Sequence, residues 1–118
     1  RYAHPDEFFS DNFIANYCPL VFMEESARNR TPDKLPAGER ELLDAACQRH
    51  LARVFQVLRP EIVVGVGAYA EKCLERTMEK SGYEAQLARI LHPSPASPAA
   101  NRDWAGTATK QFKDAGIW

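Results

Sequence analysis

The chain has 118 residues, 45% hydrophobic and 26% charged, with a formal net charge of −1. That is the size and composition of one globular domain, with no room for a second core. Near-neutral charge argues against holding nucleic acid by bulk electrostatics. No apolar stretch approaches the ~20 residues of a membrane span, and the start does not read as a signal peptide. The three cysteines, Cys18, Cys47 and Cys73, are widely spaced within or beside apolar segments. They read as small buried hydrophobes of a reducing compartment, not as a disulfide framework. His4, His50 and His92 have no ligand-spaced neighbour and there is no Cys-x-x-Cys, so no metal site is expected. The first residue is Arg1, not methionine, and the chain is expected to be part of something longer.

In chain order, Phe13-Ile14-Ala15-Asn16-Tyr17-Cys18 reads as a buried strand stopped by Pro19. Residues 19–36 form a long connection broken by Asn29-Arg30-Thr31-Pro32 and Leu35-Pro36. Ordered loops of that length are usually functional. Arg28, Arg30, Lys34 and Arg40 gather there, beside Glu24, Glu25 and Asp33. A basic patch and an ordinary solvated face fit them equally well. A helix is expected over about 38–58, where Leu43, Cys47, Leu51, Val54 and Leu58 form one apolar stripe. Ile62-Val63-Val64-Gly65-Val66-Gly67 is continuous and β-branched, as in a strand buried on both faces of a parallel sheet. A helix over about 68–80 and a third strand over about 85–91 follow. After a Pro-, Ser- and Ala-rich loop at 93–100, a last helix is expected over about 102–115. Asn101 is its candidate N-cap, and Trp104, Ala108, Phe112 and Ala115 form its inner face. The order calls for an α/β/α sandwich of three layers around a short parallel sheet.

Three features carry chemistry. His92 stands where the third strand ends, and Pro93 and Pro95 stiffen the loop after it. Ligands of open α/β sheets bind beyond the carboxyl ends of the strands. A fixed N–H donor there can stabilise developing negative charge, although a lone histidine is more often structural or merely exposed. Asn16, at the end of the first expected strand, either bonds loop backbone or reads a ligand. Its amide offers an acceptor and a donor side by side, matching the N3–H and O4 of uracil and mismatching cytosine. Gly65-Val66-Gly67-Ala68-Tyr69-Ala70 fits the dinucleotide pattern G-x-G-x-x-A. However, the acid that should end the next strand is Glu84, at that strand's start, and close helix–strand packing explains the glycines more cheaply.

Taken together, Asn16-Tyr17-Cys18-Pro19-Leu20, Ser26-Ala27-Arg28-Asn29-Arg30-Thr31-Pro32, Val63-Val64-Gly65-Val66-Gly67 and His92-Pro93-Ser94-Pro95 followed by Asn101 resemble the single-strand-selective monofunctional uracil-DNA glycosylases. The resemblance runs from about Phe8 to the last helix. It implies a uracil-DNA glycosylase fold and a base-excision repair hydrolase that flips uracil out of DNA and cuts its N-glycosidic bond. By this analogy Asn16 reads the uracil edge and His92 stabilises charge on uracil O2. Pro93, Ser94, Pro95, Ala96 and Ser97 form the DNA-binding loop, which grips phosphates and presses into the vacated space.

The resemblance further implies no metal or organic cofactor. It also implies uracil-containing DNA, single- or double-stranded, as partner, no membrane association and a monomer. The protein is expected inside the cell, in the nucleus of a eukaryote or the cytoplasm of a bacterium. The family's Gly-Met-Asn-Pro-Gly motif, whose asparagine positions the attacking water, does not occur in these residues. Residues 1–118 are therefore expected to be a single, partial domain, the C-terminal half of such an enzyme beginning after its first strand. Ala96 and Ser97 stand where the family often has an arginine, which implies a shift toward single strands. A nucleotide-cofactor module using Gly65 and Gly67 and a non-catalytic DNA-binding remnant are the alternatives.

Overall fold

A computed structural model describes residues 2–95 and 97–118. The chain divides into two compact units, one up to Cys47 and one from Gln48 to Trp118.

In the first unit, helix α1 (Pro5–Asp11) opens on a proline, with Asp6 and Glu7 in its first turn. Proline there forfeits no helical hydrogen bond, and the carboxylates oppose the positive end of the helix dipole. A helix this short leaves no periodic pattern in the sequence. The strand expected over 13–18 is not formed. Residues 12–16 are irregular, and Phe13 and Ile14 are 66% and 67% exposed. A strand exists only through ladder bonds to a neighbour, and among the described residues none pairs with this segment.

The long connection contains a small turn. Met23 and Asn29 form an antiparallel bridge, the Arg30 N–H donates to the Phe22 carbonyl at 2.8 Å, and the Glu24 N–H donates to the Arg28 carbonyl at 2.9 Å. Arg30 pairs with Glu24 at 3.6 Å and donates to the Lys34 carbonyl at 3.2 Å. That arginine is thus engaged in shaping the loop. A 3₁₀ turn (Pro32–Lys34) leads into α2 (Ala37–Leu58). Cys47 and Phe55 on α2 are buried, whereas Leu58, expected on the apolar stripe, is exposed.

The second unit holds the sheet. Strand β1 (Ile62–Val66), helix α3 (Ala68–Ser81) and strand β2 (Gln86–Ile90) form a β-α-β unit. Its two strands are parallel, in register from Ile62 opposite Gln86 to Val66 opposite Ile90. The sheet has two strands among the described residues, not the three expected. β1 is also not buried on both faces, because Val63 and Gly65 are buried while Ile62 and Val66 are exposed. Helix α3 packs on both strands and the last helix, α4 (Pro98–Asp114), packs on β2.

Gly65 permits the first of these contacts, since a Cβ there would lie 2.5 Å from the Glu71 backbone nitrogen. Phe55 stacks on Tyr83 with centroids 5.1 Å apart, and the Tyr83 hydroxyl donates to the Pro60 carbonyl at 2.9 Å.

Helix α4 begins before residue 102, and Ser97, not Asn101, is its N-cap. The Ser97 hydroxyl accepts from the Ala100 N–H at 3.4 Å, and Pro98 takes the first helical position. The helix breaks at Asp103 (φ −162°, ψ 81°), whose carboxylate accepts from the Gly106 N–H at 2.9 Å. Asp103 thereby caps a second segment that begins close to the expected start. On its inner face Ala108 is buried and Trp104, Phe112 and Ala115 are half-buried. No helix among the described residues is long and apolar enough to cross a membrane.

Candidate active site at the carboxyl end of β2

The chain leaves β2 at Ile90 and reaches His92 two residues later, at the lip of an open cleft of about 420 Å³. Gly67, Ala68, His92, Ser94, Ser97 and Gln111 are among its lining residues. This is the strand-end position expected of His92, and its side chain is exposed.

The loop after it is built from tight turns. The Ser94 N–H donates to the His92 carbonyl at 2.8 Å, and the Ser97 N–H donates to the Ser94 carbonyl at 2.9 Å. Pro93 and Pro95, exposed beside them, fix φ and contribute no donor. The Asn101 side chain donates to the Pro95 carbonyl at 2.8 Å. Asn101 therefore ties down the loop and does not cap the helix. Of the expected loop residues, Ser94 and Ser97 are half-buried, and Ala96 lies outside the described residues.

Beneath His92 sits Gly67, with φ +92°, where a Cβ would lie 3.0 Å from the His92 Cβ. The Gly67 N–H donates to the Ile90 carbonyl at 2.9 Å. Behind the histidine, the Leu91 N–H donates to Gln111 Oε1 at 2.8 Å, and the Trp104 indole N–H donates to the Leu91 carbonyl at 2.6 Å. The sequence places Trp104 on the inner face of α4 but gives Gln111 no role. The available signal is their spacing of two helical turns, which puts an indole donor and an amide on one face. At the cleft edge Arg89 donates to Glu71 at 2.9 Å, so its charge is balanced.

Asn16 lies in the first unit and His92 in the second. Asn16 is exposed in an irregular segment, so the burial argued for it from a strand end does not hold. Its neighbour Tyr17 anchors the segment: the phenol donates to Asp44 Oδ1 at 2.7 Å. Among the described residues, no group of three or more His, Cys, Asp or Glu side chains is placed to hold a metal ion.

These features define an α/β chain with an open cleft, headed by a histidine, at the carboxyl end of a parallel strand pair. No family model matches the chain. It is 41% identical over 115 residues to the single-strand selective monofunctional uracil DNA glycosylase of Bos taurus, an alignment that takes in 98% of this chain and 42% of that relative. The Rattus norvegicus protein of the same description is 42% identical over 115 residues, covering 98% of this chain and 41% of the relative. The Mus musculus protein is 41% identical, with the same coverages. The chain spans about two fifths of the length of the curated relatives it matches. These similarities support the single-strand-selective monofunctional uracil-DNA glycosylase family for this chain.

Proposed function

We propose that this chain is part of a DNA base-excision repair glycosylase that flips uracil out of DNA and hydrolyses its N-glycosidic bond. The observation that carries the reading is the mounting of His92, held at the carboxyl end of β2 over an open cleft by hydrogen bonds to the backbone before it and by a turn after it.

Extrusion of the base is required because the sugar–base bond is inaccessible within the stack. As the bond between the sugar C1′ and N1 of the base breaks, its electron pair passes to the base and collects on O2. An N–H of His92 donates to O2 and stabilises that charge, while water adds to C1′ and loses a proton, which leaves the sugar hydroxyl and, once the base takes up a proton, neutral uracil. Fixed donors aimed at developing charge contribute most because they need no reorganisation during the reaction. The Asn16 amide accepts from uracil N3–H and donates to O4, a pattern that cytosine reverses. Pro93, Ser94, Pro95 and Ser97, with Ala96, form the loop that grips the DNA backbone and fills the gap left by the base. None of these residues positions the water.

The two-stranded sheet then belongs to a wider parallel sheet between two helical layers, in a single glycosylase domain that acts as a monomer inside the cell. Single-stranded uracil-containing DNA is the first substrate to test, in keeping with the description of the relatives. The full-length protein is expected to release uracil from such an oligonucleotide, and His92→Ala to slow release by roughly 10²–10³-fold without loss of fold. Asn16→Asp is expected to admit cytosine. No release by folded full-length protein, or release untouched by His92→Ala, refutes the reading.

A further inference from the structure

We infer that Trp104 and Gln111 are positioning residues for His92, acting through the peptide groups of Leu91. The inference rests on the reading of His92 as the group that takes up charge on the leaving base.

The ladder between β1 and β2 ends at Val66 and Ile90. Past that point the chain must find other partners for its backbone groups, and it finds them on three sides. The peptide joining Ile90 to Leu91 is held at both ends. Its carbonyl accepts from the Gly67 N–H at 2.9 Å, and its N–H donates to Gln111 Oε1 at 2.8 Å. The next peptide, joining Leu91 to His92, has its carbonyl on the Trp104 indole N–H at 2.6 Å. Each peptide is a rigid plane, so holding these two planes places the N and Cα of His92, and the backbone turn that follows sets the direction in which its side chain leaves. The following carbonyl, that of His92 itself, accepts from the Ser94 N–H at 2.8 Å.

Both helical groups come from one unbroken segment of α4. The non-helical Asp103 immediately precedes Trp104, and its carboxylate caps the segment through the Gly106 N–H at 2.9 Å. Two turns on, Gln111 lies on the same face. The spacing of the two side chains is therefore set by helix geometry alone. His92 is exposed, so packing around the imidazole does little to locate it. Its aim depends on the backbone beneath.

The test uses the full-length protein and single-turnover release of uracil from a single-stranded oligonucleotide. Trp104→Phe removes the indole N–H and keeps an aromatic ring. Gln111→Leu removes the acceptor, and Gln111→Glu retains one. Trp104→Phe and Gln111→Leu are each expected to slow release by about 10–100-fold, the size of effect that a displacement of ~1 Å at a reacting group produces. Oligonucleotide affinity should not fall in step, and Gln111→Glu should recover most of the rate.

The decisive arm repeats both substitutions in a His92→Ala background. There neither should slow release further, because the residue they position is gone. Equal losses with and without His92 overturn the inference and make the two residues merely structural. Unchanged rates in the single variants overturn it as well. If His92→Ala alone leaves release intact, the reading of His92 fails and the inference fails with it, a result distinct from the other two. Amide exchange of the Leu91 N–H gives a check independent of activity. Its protection should drop in Gln111→Leu and persist in Gln111→Glu, and unchanged protection in Gln111→Leu refutes the contact.

Discussion

Replacing Gly67 by alanine probes the backbone and the site at once. Gly67 has φ 92° and ψ 164°, a region essentially confined to glycine, where a side chain costs roughly 1–3 kcal/mol. The added methyl would also lie 3.0 Å from the His92 Cβ and 3.6 Å from its Cγ and Cδ2. Carbon contacts are comfortable at ~3.5–4.0 Å, so the closest is short by roughly 0.5–1 Å. Relief comes from the histidine moving outward or from β1 and β2 parting at their ends, which adds an overpacking cost of about 1–3 kcal/mol. The smaller unfolded-state freedom of alanine returns about 0.4–1 kcal/mol. A net loss of about 1–5 kcal/mol should appear as a lowered urea midpoint. In full-length protein that remains folded, a histidine displaced by this distance should slow single-turnover uracil release by about 10–100-fold. A stability change below ~0.5 kcal/mol refutes the packing and backbone argument, because strain and overpacking together exceed that after the offset. Full release by the folded variant refutes the contact with His92.

Gly65→Ala places its methyl 2.5 Å from the nitrogen and 2.7 Å from the Cα of Glu71. Helix backbone cannot swing aside, so urea unfolding should show a loss of about 1–3 kcal/mol. Arg59 holds a left-handed φ of 49° at the end of α2, and Arg59→Gly should raise stability by about 1 kcal/mol in the same assay. The Thr31 side-chain hydrogen bond holds the Asp33 carboxyl below its ordinary value, against desolvation and with lesser help from the Asp33 backbone, Lys34 and Arg40. Thr31→Val should therefore move the Asp33 titration upward when followed by NMR. Because the folded value lies below the unfolded one, this bond's stabilisation is present above the ordinary aspartate range and is lost as pH falls through the folded value.

What the sequence made legible follows from where each signal originates. Helix α2 and the β1-α3-β2 unit were readable because their determinants are local: an apolar stripe and a β-branched run, and at the end of α3 Gly82 takes the left-handed conformation at φ 67°. His92 was readable for the same reason, as an apolar strand ends there and two prolines follow. The segment 13–18 misled because composition announces a strand while a ladder requires a partner, and Phe13 and Ile14 remain exposed. The start of α4 misled because two caps lie in series. Asn101 has a capping side chain, but it spends it on Pro95, and Ser97 and Asp103 do the capping. Gln111 was silent because a glutamine on a helix is ordinary until its acceptor is seen to meet the Leu91 N–H.

The Gly-x-Gly-x-x-Ala run is where the two readings of the cleft separate physically. In a dinucleotide site the glycines leave their backbone open so that a pyrophosphate can approach. Here the open side of each is already occupied by protein: Gly65 faces the backbone of Glu71 and Gly67 faces the side chain of His92. The Gly67 N–H is itself engaged by the Ile90 carbonyl, and Gly67, Trp104 and Gln111 together hold the backbone leading to the histidine. The absence of side chains at these glycines is thus explained by what the fold packs against them. The same contacts supply the rigidity that a charge-stabilising histidine needs. Enlarging Gly67 should therefore damage uracil release through His92, and a nucleotide affinity that depended on that glycine would contradict this account.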